Sequence, residues 1–347
     1  MHLLSQSLSA TWAPFVLIVG LLFVGHVAAG EGLFEYLGTR CARLPGSDAA
    51  LFVATMLAVA VVTATLNLDT SVVFMTPVAL HAARSRSVDE SAFLYGTVLM
   101  SNSASLVLIG SNLTNLLVFA RRPVPGFVFA QHMIGPWLIA VAATILIVGL
   151  WRWSSLRTHH PISPRESVRL RWGPGVLAVA VALAMMLALS HPALPVFILG
   201  AVVEIYTWRA LRARSPRETW RTANPTLVVP LFLLAVLVGW LGRSWAWPSH
   251  LVAHASSLAT ATVAGLTSIV INNLPAASLF AGRRVAHPYA LLLGLDLGPN
   301  LFMTGAMSTL LWFRIAKANG AHPRSWDFLK VGVPLAVATI ALSSLIV

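Results

Sequence analysis

The sequence predicts an all-α polytopic membrane protein of two inverted repeats, each with a re-entrant helical hairpin and a broken transmembrane helix. Three observations predict it. Charge is scarce: of 347 residues, 57% are hydrophobic and 10% charged, where a soluble domain carries roughly a quarter charged. Mean hydropathy is +0.80. Windows of about 20 residues without Asp, Glu, Lys or Arg recur at 12–30, 91–120, 133–151, 225–242 and 244–282. One such window fits a soluble core; a series of them requires a bilayer. Finally, the polar interruptions of the apolar runs occur at matching places in the two halves.

A first span is expected at 12–29. Its run ends at Ala28-Ala29-Gly30 in the manner of a signal peptide, but no Lys or Arg precedes it, so a retained span is expected. A short segment follows at 31–44. The run 49–65 meets a break at Asn67-Leu68-Asp69-Thr70 and resumes at 71–83, which reads as a hairpin with its tip at the break. The run 91–120 is interrupted at Gly110 and at Ser111-Asn112-Leu113-Thr114-Asn115. A plain span at 133–151 completes the first repeat, 1–155. An arginine-rich connector, 156–173, leads to the second repeat, 174–347. That repeat opens with spans at 175–190, 195–208 and 227–241. Its run 251–282 is broken at Asn272-Asn273-Leu274-Pro275, and its run 288–313 at Asp296-Leu297-Gly298-Pro299-Asn300. A last span covers 331–347.

The net charge of +12 marks topology, not nucleic acid. Arg157, Arg165, Arg169 and Arg171 lie in one connector, and Arg209, Arg212, Arg214, Arg217 and Arg221 in another, as the positive-inside pattern requires. With the connector at 156–173 inside, the two hairpins must enter from opposite faces. Arg121-Arg122 and Arg283-Arg284 then fall outside, outnumbered. The count leaves the side of the N-terminus open.

Unwound backbone inside a bilayer survives only where protein or a water-filled cavity covers it. Paired broken segments in two halves are the sequence sign of a solute site in a membrane carrier. Half-helix starts would offer positive dipole ends there, and Asn, Ser and Thr would offer neutral partners. The first tip supplies Asn67, Asp69 and Thr70; the following span supplies Asn102, Ser103, Ser105, Ser111, Asn112, Thr114 and Asn115. The second tip supplies Asn272 and Asn273, and its broken span Asp296, Asn300, Thr304, Ser308 and Thr309. About half of the hydroxyls are expected to back-bond to helix carbonyls instead. Asp69 and Asp296 are the proton-coupling candidates, since an embedded carboxylate is costly and marks function; helix capping is the competing role. Glu31, Glu35 and Glu204 are expected at interfaces.

Other chemistries are not written in the chain. Cys41 is the single cysteine, which excludes an internal disulfide or a cysteine metal cluster. His250 and His254 are spaced four apart, as a zinc pair on a helix would be, but no third ligand has a fitting spacing, so no metal is expected. The tryptophans, such as Trp151, Trp153, Trp245 and Trp247, suit the interfacial belt. Neither a nucleotide-binding loop nor a nucleophile elbow is present, so no cofactor and no enzyme activity is expected, and energy must come from an ion gradient or a partner.

At its breaks the sequence resembles the arsenite permeases, the membrane subunit of the arsenical pump, within the ion transporter superfamily that also holds sodium–dicarboxylate symporters. Four stretches carry the resemblance: Asp69 through Pro77, Ser103 through Asn115, Asn272 through Pro275, and Asp296 through Asn300 continuing to Ser308 through Trp312. The chain begins near what looks like the family's third span. It has Asn102-Ser103 where the family usually has Asp-Thr, Asn300 where a Lys is typical, and Phe302-Met303 where Thr-Pro is typical. The resemblance implies proton-coupled export of arsenite or antimonite across the bacterial inner membrane. A sodium- or proton-coupled symporter of a small carboxylate or other anion is the alternative, and a non-transporting membrane scaffold a further one. Implied partners are a small inorganic hydroxide, oxyanion or other anion, the coupling ion H+ or Na+, and membrane lipid. A homodimer and a cytoplasmic ATPase are further candidate partners.

Overall fold

In hydrocarbon a single span must satisfy its own backbone, and helix is how it does so. The computed structural model describes residues 2–43, 46–158, 170–209, 216–223, 225–245, 247–282 and 285–347, and every regular element among them is helical. The first half runs through α1 (His2–Gly30), α2 (Leu33–Ala42), α3 (Asp48–Leu66), α4 (Leu68–Ser85) and α5 (Ser91–Ala104). After a single 3₁₀ turn (Ile109–Ser111) come α6 (Leu113–Phe119), α7 (Gly126–Trp151) and α8 (Trp153–Leu156). The second half contains α9 (Pro174–Ala188), α10 (Ala193–Arg209), α11 (Pro216–Ala223), α12 (Pro225–Ser244), α13 (Trp247–Ala253), α14 (Ser257–Ile271) and α15 (Asn273–Ala281). It closes with α16 (Pro288–Leu297), a 3₁₀ turn (Gly298–Leu301), α17 (Met307–Ala318) and α18 (Ser325–Ser343). Most of the arginine connector, at 159–169, and the segments 210–215 and 283–284 lie outside the described residues.

Helices α1, α3, α7 and α18 are each long and apolar enough to cross a membrane. Their outward faces stay apolar: Leu146 and Leu150 on α7 are 61% and 69% exposed, and Val270 on α14 is 80% exposed. Lipid is the solvent such a belt fits.

The first hairpin is re-entrant. Its two ends meet, with Arg86 Nη1 3.9 Å from Asp48 Oδ1, and Arg86 also donates to Ala42 O and Gly46 O. Across the tip, Thr63 Oγ1 donates to Ser71 Oγ at 2.8 Å; eight residues apart on one straight helix they would be about 12 Å apart. The α14–α15 pair turns back at Asn272 in the same way, but its open end lies at the other face. There Arg121 Nη1 donates to Gly282 O at 2.8 Å, and Ser257 Oγ donates to the terminal Val347 O. The hairpins therefore open to opposite faces, as the charge pattern predicts.

The side of the N-terminus, open in the sequence, is decided by α1. Arg171 N donates to Glu31 O at 3.2 Å, and the Glu31 carboxylate accepts from Gly175 N and Val176 N at 2.8 Å each. The end of α1 thus sits at the connector face and caps the start of α9, so α1 begins at the opposite face. Glu31, at the connector-face end of α1, serves there as a cap for α9.

Three further expectations are corrected. The first span extends back to residue 2, because no charge or breaker interrupts 2–11. The run expected at 251–282 has, besides its expected break at 272–275, a second break near its start: α13 ends at Ala253, and Ser256 caps α14 by accepting from Ala259 N. His254 therefore falls in the turn after α13 and shares no helical face with His250. Glu204, expected at an interface, is 1% exposed, with His26 Nδ1 3.2 Å away and Thr219 Oγ1 donating to it at 2.9 Å.

A candidate solute-binding cleft

Three asparagines begin three of the half-helices. Asn67 Oδ1 accepts from Thr70 N at 2.8 Å and caps α4. Asn112 Oδ1 accepts from Thr114 N at 3.3 Å and caps α6, and Asn272 Oδ1 accepts from Leu274 N at 3.4 Å and caps α15. Asn is suited to each position because its short amide replaces the missing intrahelical partner. Asn67 and Asn272 also adopt positive φ, at 125° and 73°. The capping role weighed for the two aspartates thus belongs to asparagines: Asp69 lies in the first turn of α4, and Asp296 near the end of α16.

The starts of α4, α6, α15 and α17 border one cleft of about 500 Å³, its mouth included. Its polar lining is Asp69, Asn112, Asn272, Asn273 and Ser308, and Phe15 and Ile18 of α1 with Val228 and Leu231 of α12 form the apolar wall. None of the described lining residues is Lys, Arg or His. Aligned peptide dipoles place partial positive charge at helix starts, so backbone supplies what positive potential the cleft has. The apolar wall was not legible as site; Pro14 and Pro230, inside α1 and α12, were its only local signal.

Behind the cleft, Asn112 Nδ2 donates to Asp296 Oδ1 at 3.0 Å, and Thr114 Oγ1 donates to the same oxygen. Asp296 is 1% exposed and its Oδ2 has no hydrogen-bond partner. Deeper still, Asn102 Nδ2 donates to Asn300 Oδ1 at 2.7 Å, joining the two halves. These are two of the positions marked in the sequence as departures from the arsenite-permease pattern, and here they are direct partners, a pair of neutral amides.

Other expected residues serve the backbone. Asn115 Nδ2 donates to Ser105 O and Leu108 O at 3.0 Å, Ser111 Oγ donates to the same two carbonyls, and Trp137 Nε1 donates to Ala104 O. These bonds satisfy the carbonyls freed between α5 and α6, which is what makes the break affordable in a bilayer. Ser105 Oγ donates to Asn102 O, and Ser103 Oγ accepts from Thr144. Asn102 and Ser103 lie on α5 itself, ahead of the break. Thr304 is exposed at the edge, and Asn272 Nδ2 donates to its carbonyl. By contrast Thr70, Ser308 and Thr309 have buried hydroxyls without a hydrogen-bond partner. Such groups are costly to bury; these three lie at the first hairpin tip and the start of α17, and other buried hydroxyls without a partner, such as Thr260 and Ser278, lie elsewhere on α14 and α15.

The comparisons with known proteins agree with this architecture. The family model described as CitMHS, citrate transporter, matches residues 4–316. The 46 kDa membrane protein of Mycobacterium leprae is 24% identical, over 98% of this chain and 87% of that protein. The arsenical pump membrane protein of Escherichia coli is 22% identical, over 96% and 86%. Among solved structures, the Alcanivorax borkumensis YdaH transporter superposes with a TM-score of 0.60 at 15% identity, over 99% of this chain and 86% of that one.

Proposed function

Because the chain belongs to the CitMHS citrate transporter family and is a membrane transporter, we propose that it exports arsenite or antimonite in exchange for protons across the bacterial inner membrane. The observation that carries this reading is the lining of the cleft: amides, a hydroxyl and one carboxylate, with no cationic side chain among the described residues. A polycarboxylate needs fixed cations to offset its desolvation. Arsenite at neutral pH is an uncharged trihydroxide, and its hydroxyls need only neutral donors and acceptors. Asp69 borders the cleft and Asp296 stands behind Asn112, so both are proposed as proton carriers. In Asp296 the proton would sit on Oδ2, the oxygen left without a partner. Asn112 then links solute and proton: it borders the cleft, and its Nδ2 bonds Asp296. Repeats 1–155 and 174–347 are proposed as the two halves whose relative movement exposes the cleft alternately.

A second reading, symport of a small monocarboxylate or similar anion, draws on the helix starts at the cleft and on the family's description. The deciding experiment is arsenite accumulation in an efflux-deficient bacterium expressing this chain beside the Asp69→Asn and Asp296→Asn variants. Export lowers accumulation below the empty vector, and either variant or an uncoupler abolishes the difference. Unchanged accumulation with confirmed membrane expression rejects arsenite, and uptake that depends on external sodium selects the anion reading.

A further inference from the structure

The central cleft continues toward the face opposite the arginine connector. A smaller cavity of about 210 Å³, mouth included, shares Ile18, Leu68, Asp69, Asn112 and Leu113 with it. That cavity shares Pro14 and Leu116 with a groove of about 1180 Å³, mouth included. The groove runs between the first half of α1, the end of α6 and the turn joining α9 to α10, with Ser9, Ser190 and His191 among its lining. All three elements lie at the face where α1 begins. The narrow middle section is lined by Leu17, Gly110 and Leu116. Gly110 is packed tightly: a Cβ built on it would strike Met186 Sδ and come within 3.3 Å of Leu17 Cδ2. Both are buried, unbranched or γ-branched chains that can swing without moving backbone, and a thioether is the most adaptable of such side chains.

We propose that this groove is the outer vestibule of the transport route, joined to the central cleft through a throat formed by Pro14, Leu17 and Leu116. Its occupants are water and the transported solute. The argument is continuity: groove and throat share Pro14 and Leu116, throat and cleft share Ile18, Asp69 and Asn112, and polar side chains lie along the groove. Pro14 lines both groove and throat, and its missing N–H interrupts the α1 ladder there, which lets the wall of the throat bend. The inference rests on the reading that the central cleft is the solute site, but not on which solute it takes.

The test uses the single native cysteine to advantage. In a Cys41→Ser background, Ala13→Cys places a thiol in the groove, Leu116→Cys one where the groove meets the throat, His191→Cys one at its mouth, and Leu146→Cys one in the lipid belt of α7. The cysteine thiolate, which forms in water and not in hydrocarbon, is the nucleophile that attacks a thiosulfonate and displaces its sulfinate. A membrane-impermeant cationic thiosulfonate added to intact cells is expected to modify Ala13→Cys and Leu116→Cys about tenfold faster than Leu146→Cys. Modification at Leu116→Cys is expected to block flux. Reaction of Ala13→Cys, Leu116→Cys and His191→Cys only with a lipid-soluble maleimide, at the Leu146→Cys rate, overturns the proposal and identifies a lipid-filled groove. Labelling without arsenite flux keeps the vestibule and rejects the arsenite reading; arsenite flux without labelling rejects the vestibule alone.

Discussion

Asn102 and Asn300 are buried completely and bond each other at 2.7 Å, leaving Asn102 Oδ1 and Asn300 Nδ2 without partners. A charge introduced on one side alone would be desolvated with nothing opposite it, which costs about 3–5 kcal/mol when a buried pair is broken. Asn102→Asp and Asn300→Lys are each expected to lower the thermal midpoint in detergent. The double variant, with opposite charges facing each other, is expected to recover much of the loss, giving a coupling energy of about 1–3 kcal/mol in a double-mutant cycle. Additive losses would mean that the two side chains do not interact.

At the scale of elements, the hairpin tips and the helix crossings set the geometry. Asn67 holds φ 125° and ψ 171°, a region that essentially only Gly occupies without strain, while its side chain caps α4. Asn67→Gly is expected to relieve the backbone while losing the cap, a net change within about 1 kcal/mol. Asn67→Ala loses the cap and keeps the strain, and is expected to cost about 2 kcal/mol; equal effects in thermal unfolding would contradict this. Helices α1 and α10 cross where a Cβ on Gly20 would lie 2.6 Å from Phe197 Cα and one on Gly200 would strike Gly20 O. Backbone opposes backbone there, so neither helix can yield by a rotamer change. Gly200→Ala is expected to separate them and cost about 1–3 kcal/mol, read as a lower midpoint.

For the whole molecule, the decisive property is orientation. Cys41 lies one residue from Ala42, whose carbonyl accepts from Arg86 at the closed base of the first hairpin, on the connector face. With the arginine connectors inside the cell, a membrane-impermeant maleimide is expected to label Cys41 in inside-out vesicles and to spare it in right-side-out vesicles. The reverse pattern would invert the molecule and turn the proposed outer vestibule into an inner one. The same orientation gives the two hairpins their opposed openings, and places the four half-helix starts around one cleft between them.

The legible part of this protein was its one-dimensional pattern. Charge-free runs, the placement of arginines and the Asn-bearing breaks determined the membrane class, the helical content and the opposed hairpins, because hydrocarbon forbids unpaired charge and unsatisfied backbone wherever they occur along the chain. Which breaks meet was not legible. The bond between Asn102 and Asn300 spans the two halves, as does the pairing of Asp296 with Asn112 and Thr114. No local period encodes such partners, since they depend on how separate helices pack. Nor could sequence separate Asn115 and Ser111, which satisfy freed carbonyls, from Asn112 and Ser308, which line the cleft; all are small polar residues in a break. The apolar wall from α1 and α12 was hidden for the opposite reason: a side chain facing a cleft and one facing lipid are both apolar in sequence, and only the tertiary packing tells them apart.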